Sequence, residues 1–347
     1  MSTPAPARAA HLVGSIPAPD AQGAMELALG ELDVPLRSLP DGETGERYHW
    51  IVHIIEAFRR HPDLELASDG RWSDYEDVPR FRVRRGHRLS SATLDFGHVA
   101  AYQDSRPAFE RMRAERGRAE LAFQAGVPGD LDMALFTFGP LGILRHRAPF
   151  REATVREIAE IHRLGGDEVV FQIEVPAELV FVARAPRPLR GLAAGLLARG
   201  IARLARESPE GARFGIHLCL GDMNHRALTA MTDAGPVVAL GNAIAAAWPQ
   251  GRPFEFLHVP FAAAEVPPPT DPAWYAPLRL LRLSGGTRLI AGFVHEDQPL
   301  EVQRELRQVI ERAWGAPVDI ATSCGLGRRA PDRALAALQR TAELTRD

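Results

Sequence analysis

The chain contains no lysine: all 41 residues counted as lysine plus arginine are arginine. That absence excludes every mechanism built on a lysine amine, among them Schiff-base aldolases, pyridoxal-phosphate enzymes and P-loop nucleotide hydrolases. Cysteine is nearly absent too. With only Cys219 and Cys324, no disulfide framework holds this fold. No apolar run approaches the ~20 residues that span a bilayer, so no membrane partner is expected. Charge of one sign is also lacking. The net charge is −3 over 347 residues, without the basic excess that a nucleic-acid partner needs. Met1 to Ala10 lacks the basic-then-apolar layout of a signal peptide, so the expected location is cytoplasmic.

What is present is an ordinary globular composition, 46% hydrophobic and 24% charged, long enough for one large barrel or two medium domains. Short apolar runs alternate with longer amphipathic stretches, which indicates α/β architecture. The runs predict strands over 11–17, 36–40, 130–138, 168–175, 214–220, 254–261, 288–295 and 318–323. Helices are predicted between them, among others over 20–32, 48–60, 105–125, 151–164, 191–207 and 300–314. Eight strands with interleaved helices match a (β/α)8 TIM barrel, read here as one domain over 11–347 after a flexible tail at 1–10. Residues 61–103, carrying apolar runs at 64–67 and 81–89, read as a hairpin and loop inserted after the second strand. A doubly wound open sheet is the alternative, but no Gly-x-Gly-x-x-Gly turn follows the first strand.

A barrel of this kind works at the carboxyl ends of its strands, and those ends are polar here. His217 and Cys219 stand two apart on a strand, so both side chains point to one face and into the barrel mouth. Cys324 ends the last strand before a glycine. Two thiolates and an imidazole suit Zn²⁺; the other reading makes both cysteines small buried hydrophobes. His258 is a candidate fourth ligand or a histidine hydrogen-bonded inside the barrel. His295 is a candidate proton carrier or a rim residue without a chemical task. His225 lies on a loop beside the candidate metal ligands. Glu43 and Glu174, at the ends of two different strands, are candidates to hold a substrate ammonium group. The other reading of Glu43 is a turn residue paired with Arg47.

Taken in order, these motifs resemble the catalytic barrel of cobalamin-independent methionine synthase and its wider superfamily, which includes uroporphyrinogen decarboxylase. Val13-Gly14-Ser15-Ile16-Pro17 is similar to the opening "GSFP" strand, and Asp41-Gly42-Glu43 with Glu46-Arg47 to the "HGE…R" segment. Gln172-Ile173-Glu174-Val175-Pro176-Ala177 resembles "QIDEPA", His217-Leu218-Cys219 resembles "HxC", and Ser323 to Arg329 resembles "DCGLKTR". The resemblance implies zinc held by His217, Cys219 and Cys324, and a homocysteine-like thiol held by Gly14, Ser15, Glu43 and Glu174. The family's fourth ligand is a glutamate; His258 falls near its place. The second acid of "DEP" is replaced by Val175, and the family's late histidine is matched only loosely by His295.

The activity implied is zinc-dependent methyl transfer to a small-molecule thiol, with a corrinoid protein or a methylated small molecule as donor. The chain lacks the additional barrel that carries folate in the full-length synthase, so folate is not expected. Two other readings stand beside it. One is a metal-independent lyase of the uroporphyrinogen decarboxylase type, with Arg47 and Arg328 binding substrate carboxylates. The other is a non-catalytic thiol- or metal-binding barrel.

Overall fold

The computed structural model describes residues 8–347. Its strands are β1 (Ser38–Pro40), β2 (Leu64–Ser68), β3 (Arg80–Val83), β4 (Ala122–Pro128), β5 (Val169–Val175), β6 (Arg213–Leu218), β7 (Phe254–Pro260), β8 (Arg288–Val294) and β9 (Asp319–Thr322). The helices are α1 (Ala21–Glu31), α2 (Val52–Ala57), α3 (His98–Glu115), α4 (Asp130–Phe138), α5 (Gly142–Gly165) and α6 (Pro176–Arg184). They continue as α7 (Arg190–Glu207), α8 (Gly235–Ala247), α9 (Pro272–Tyr275), α10 (Leu300–Trp314) and α11 (Pro331–Arg346). None of them, among the described residues, is long and apolar enough to cross a membrane.

Seven strands form one parallel sheet in the order β1-β4-β5-β6-β7-β8-β9. Parallel strands need helical crossovers, which cover the sheet and leave its strands buried on both faces. All seven residues of β5 are accordingly buried. The sheet curls strongly. Ala10 bridges Leu36, just before β1, and also Ile320 in β9, so both edges meet one short segment of chain. Arg8 pairs with Glu311 at 2.7 Å and the Ala9 amide reaches Asp319 at 2.9 Å. Residues 8–10 of the expected tail are therefore fastened; residues 1–7 lie outside the described residues.

The strand expected over 11–17 does not form as a ladder. Instead, interior glutamines take its carbonyls: Gln124 donates to Leu12 and Val13 (2.7 and 3.0 Å), and Gln172 donates to Val13 (2.5 Å). The strand expected over 130–138 is α4. Its apolar residues read equally well as a buried helix, and Asp130 and Asp132 in the first turn favour a helix start. The second strand of the sheet lies upstream, in β4, where the sequence predicts the end of a long helix over 105–125. That helix, α3, ends at Glu115, before Gly117 at φ 61°. The helix expected over 48–60 is broken by Trp50, whose φ of 54° is left-handed.

β2 and β3 pair antiparallel as a separate hairpin between β1 and β4. Ile54, Phe58, Leu64, Phe81, Phe136 and Phe150 pack there as a satellite core beside the main one. The hairpin is thus anchored from below, and its connecting loop reaches over the open end of the curled sheet.

Candidate metal centre and the cavity above it

β6 delivers His217 and, one residue past its end, Cys219. Cys324 follows β9 by two residues. The fold brings the three together from 105 residues apart in sequence, with Cys219 Sγ to Cys324 Sγ at 3.6 Å and Cys324 Sγ to His217 Nε2 at 3.8 Å. All three ligand atoms lie within 4.8 Å of one another. A tetrahedral zinc with ~2.3 Å bonds to sulfur and ~2.0 Å bonds to nitrogen separates two sulfurs by ~3.8 Å and a sulfur from a nitrogen by ~3.5 Å. The donor set fits the ion.

The histidine is set for that task by the residue behind it. His258 Nε2 lies 2.9 Å from the Thr322 carbonyl, which only accepts, so this nitrogen carries the proton. Burial lowers the His258 pKa to about 4, so the neutral ring has an acceptor at Nδ1. His217 Nδ1, 2.7 Å away, must donate to it. The His217 Nε2 lone pair is then left facing the sulfurs. His258 is therefore not the fourth ligand expected from the sequence, because both its nitrogens are engaged. It fixes the tautomer of His217 instead, as outer partners of metal-binding histidines do. His258→Phe is expected to lower zinc affinity about 10–100-fold, read by competition with a chelator. Unchanged affinity would show that the ring behind His217 is dispensable.

The sulfurs share charge unequally. The hydrogen bond from Cys219 and the cationic Arg328 pull Cys324 below the usual thiol range, while Cys219 is pushed well above it by that same bond and by burial. Arg328 Nη2 approaches Cys324 Sγ at 3.2 Å; the same guanidinium reaches Ser15 Oγ at 3.3 Å and Asp222 at 3.1 Å. In sequence Arg328 entered only the lyase reading, yet here it borders the centre itself.

Glu43 and Glu174 converge beside this group. A Cβ on Gly126 would lie 2.8 Å from Glu43 Oε1 and 2.9 Å from Glu174 Oε1, and one on Gly14 would meet Glu43 at 2.7 Å. Glycine is required at both places to admit the acids. Arg47 does not pair with Glu43. It forms a two-pronged pair with Asp41 (2.6 and 3.2 Å), which also fixes the Glu43 amide at 2.9 Å. Burial raises the Glu43 carboxyl to about 7, and burial together with the neighbouring Glu43 charge raises Glu174 well above the usual range. Two buried acids this close, with no bonded cation between them, favour the protonated form of at least one.

His295 lies elsewhere. Its Nε2 donates to the Ala264 carbonyl at 3.1 Å and its Nδ1 accepts the Asp297 amide at 3.2 Å, so it caps the turn after β8. It is absent from the cavity wall, and the proton-carrier role expected of it has no free nitrogen to act through. His225 lies between Asp222 (3.4 Å) and Glu296 (3.8 Å), also outside the cavity wall. A cavity that opens to solvent lies over the centre. Its floor includes Ser15, Glu43, Glu174, His217, Cys219 and Cys324. Its upper wall, from Trp50, Trp72, Tyr75, Phe136 and Leu228, went unrecognised in the sequence. The only available signal was the aromatic pair within Arg71-Trp72-Ser73-Asp74-Tyr75 of the hairpin loop.

Fold and site together define a curled parallel α/β sheet with a thiolate–imidazole cluster at its mouth. The same fold is found in a B12-independent methionine synthase from Shewanella sp. W3-18-1 in complex with selenomethionine. That structure is 16% identical, with a TM-score of 0.55 over 94% of this chain and 87% of that one. A methyltransferase from Methanosarcina mazei is 14% identical, with a TM-score of 0.56 over 98% of this chain and 94% of that one. No protein-family model and no curated protein matches the sequence.

Proposed function

We propose that this chain is a zinc-dependent S-methyltransferase of the methionine-synthase type, acting on an amino-acid thiol such as homocysteine. On this reading the curled sheet is a (β/α)8 barrel whose eighth strand position is taken by the segment around Ala10. The observation that carries the reading is the spacing of His217 Nε2, Cys219 Sγ and Cys324 Sγ beside two buried acids. The fold shared with a methionine synthase and a methyltransferase supports it.

His217, Cys219 and Cys324 would hold zinc, with one position left to the substrate. When bound, the metal favours the thiolate form of the substrate thiol at neutral pH. Glu43 and Glu174 would bind the ammonium end, and Ser15 Oγ with Arg328 would take the carboxylate. Held at both ends, the sulfur needs no further search for its partner, and that positioning supplies much of the acceleration. The new bond joins sulfur to the methyl carbon. The bond from that carbon to the donor breaks, the donor keeps the electron pair, and the thiol proton passes to solvent.

X-ray absorption at the zinc edge tests the reading. Two sulfurs per zinc are expected in the resting protein and three after adding homocysteine. A count that stays at two would overturn thiol activation, and an active metal-free protein would return the lyase reading.

A further inference from the structure

The upper half of the cavity differs in chemistry from its floor, and that difference bears on the second substrate. The loop between β2 and β3 crosses toward the barrel mouth and is latched to the loop after Cys219. Tyr75 Oη accepts the Met223 amide at 2.8 Å and lies 3.3 Å from the Arg226 carbonyl; Asn224 Nδ2 donates to the carbonyls of Trp72 and Ser73 at 2.9 and 3.1 Å. Gly221 makes the close approach possible, since a Cβ there would lie 2.4 Å from the Tyr75 oxygen. Trp72 Nε1 donates to Glu56 at 2.7 Å. The polar atoms of both aromatics are thus committed to protein partners. What remains to line the cavity is largely ring surface, continued by Ile51, Phe136, Leu228 and Trp50, whose buried Nε1 has no hydrogen-bond partner. Phe136 holds Trp50 edge-on at 6.4 Å and Tyr75 at 6.5 Å between ring centres.

Charge is correspondingly scarce on this wall. Burial and the nearby Arg328 lower the His49 pKa, keeping that ring neutral, and Asp222 is neutralised by Arg328. Nothing on the wall serves a polyanionic tail. We infer that the methyl-bearing second substrate is an uncharged, largely apolar small molecule, seated under the Trp72–Tyr75 strap and above the sulfurs. This inference rests on the proposed thiol chemistry for the word "substrate", but not for the binding site itself.

The test uses zinc-loaded full-length protein and two fluorescent naphthalenes, the uncharged prodan and the anionic anilinonaphthalene sulfonate. Prodan is expected to bind once per chain with a blue shift, and the sulfonate at least about tenfold more weakly, a difference of about 1.4 kcal/mol. Trp72→Ala and Phe136→Ala each weaken prodan about tenfold or more, Trp72→Phe restores it, and zinc content stays constant in all three. Equal binding of both probes, or prodan binding indifferent to both alanine variants, overturns the inference. The readout needs neither thiol nor turnover, so a failed sulfur count at the zinc edge is separable from a failure here.

Discussion

Cys324→Ser will lose its zinc, falling from about one ion per chain to below about a tenth in metal analysis. Removing this thiolate leaves one sulfur and one imidazole nitrogen for an ion that takes four ligands. A serine hydroxyl does not substitute: it is shorter than the thiol and stays protonated at neutral pH. Arg328 Nη2, now 3.2 Å from the sulfur, then faces a neutral oxygen. Loss of metal must also appear as loss of stability. An ion present at about a thousandfold excess over its dissociation constant contributes about 4 kcal/mol to the folded state. The variant should therefore melt where chelator-treated wild type melts, and added chelator should not lower it further. That coincidence separates loss of the ligand from general damage to the fold. Full zinc retention in the variant would place the ion elsewhere. The remaining group of potential ligands among the described residues is His295, Glu296 and Asp297. Glu296 there is already clamped by Arg329 at 3.0 Å, which makes it a poor host for a cation.

The candidate metal centre was legible because it depends on strand geometry. Residues two apart on a strand share a face, so His217 and Cys219 follow from the run in β6. A second thiol at the end of the last strand completes the set once the sheet is known to curl. The boundaries of the strands were legible where apolar runs end in glycine, proline or acids, as in β5 to β9. They failed at 130–138, where a nine-residue buried helix and a buried strand give the same apolar count. They failed again at 11–17, where Gln124 and Gln172 replace a backbone ladder that no periodicity announces.

The role of His258 was hidden for a different reason. Its position on β7 shows only that it enters the barrel; the Thr322 carbonyl that consumes Nε2 belongs to a strand 64 residues away. The partner of Arg47 was hidden likewise. Its spacing permits Glu43 or Asp41, and only the left-handed backbone at Glu43, with φ 43°, turns that carboxylate inward and leaves Asp41 to the guanidinium. The apolar wall was the least legible part, because Trp72 and Tyr75 sit in a loop whose reach depends on the hairpin beneath it.

Glu43→Gln and Glu174→Gln are each expected to weaken homocysteine binding about 10–100-fold, the worth of a hydrogen bond to a charged group in a buried site. The pH dependence distinguishes this role from simple packing. An ammonium group needs an ionised partner, and burial holds Glu43 at about 7 in the free protein. Thiol affinity in the wild type should therefore rise as pH increases through about 7 and flatten in the glutamine variant. Stability must move in the opposite direction. The folded Glu43 pKa lies above its ordinary 4.5, so the folded state holds the proton more tightly than the unfolded chain. The corresponding stabilisation is complete below about 4.5 and disappears as pH rises through about 7. The free wild-type protein should accordingly lose melting temperature between pH 5 and pH 8 relative to Glu43→Gln. Affinity and stability then change with opposite slopes over one window, and a single substitution removes the Glu43 share of both. If Glu43→Gln leaves either slope unchanged in calorimetric titration and thermal melts, the acid pair is not the ammonium receptor.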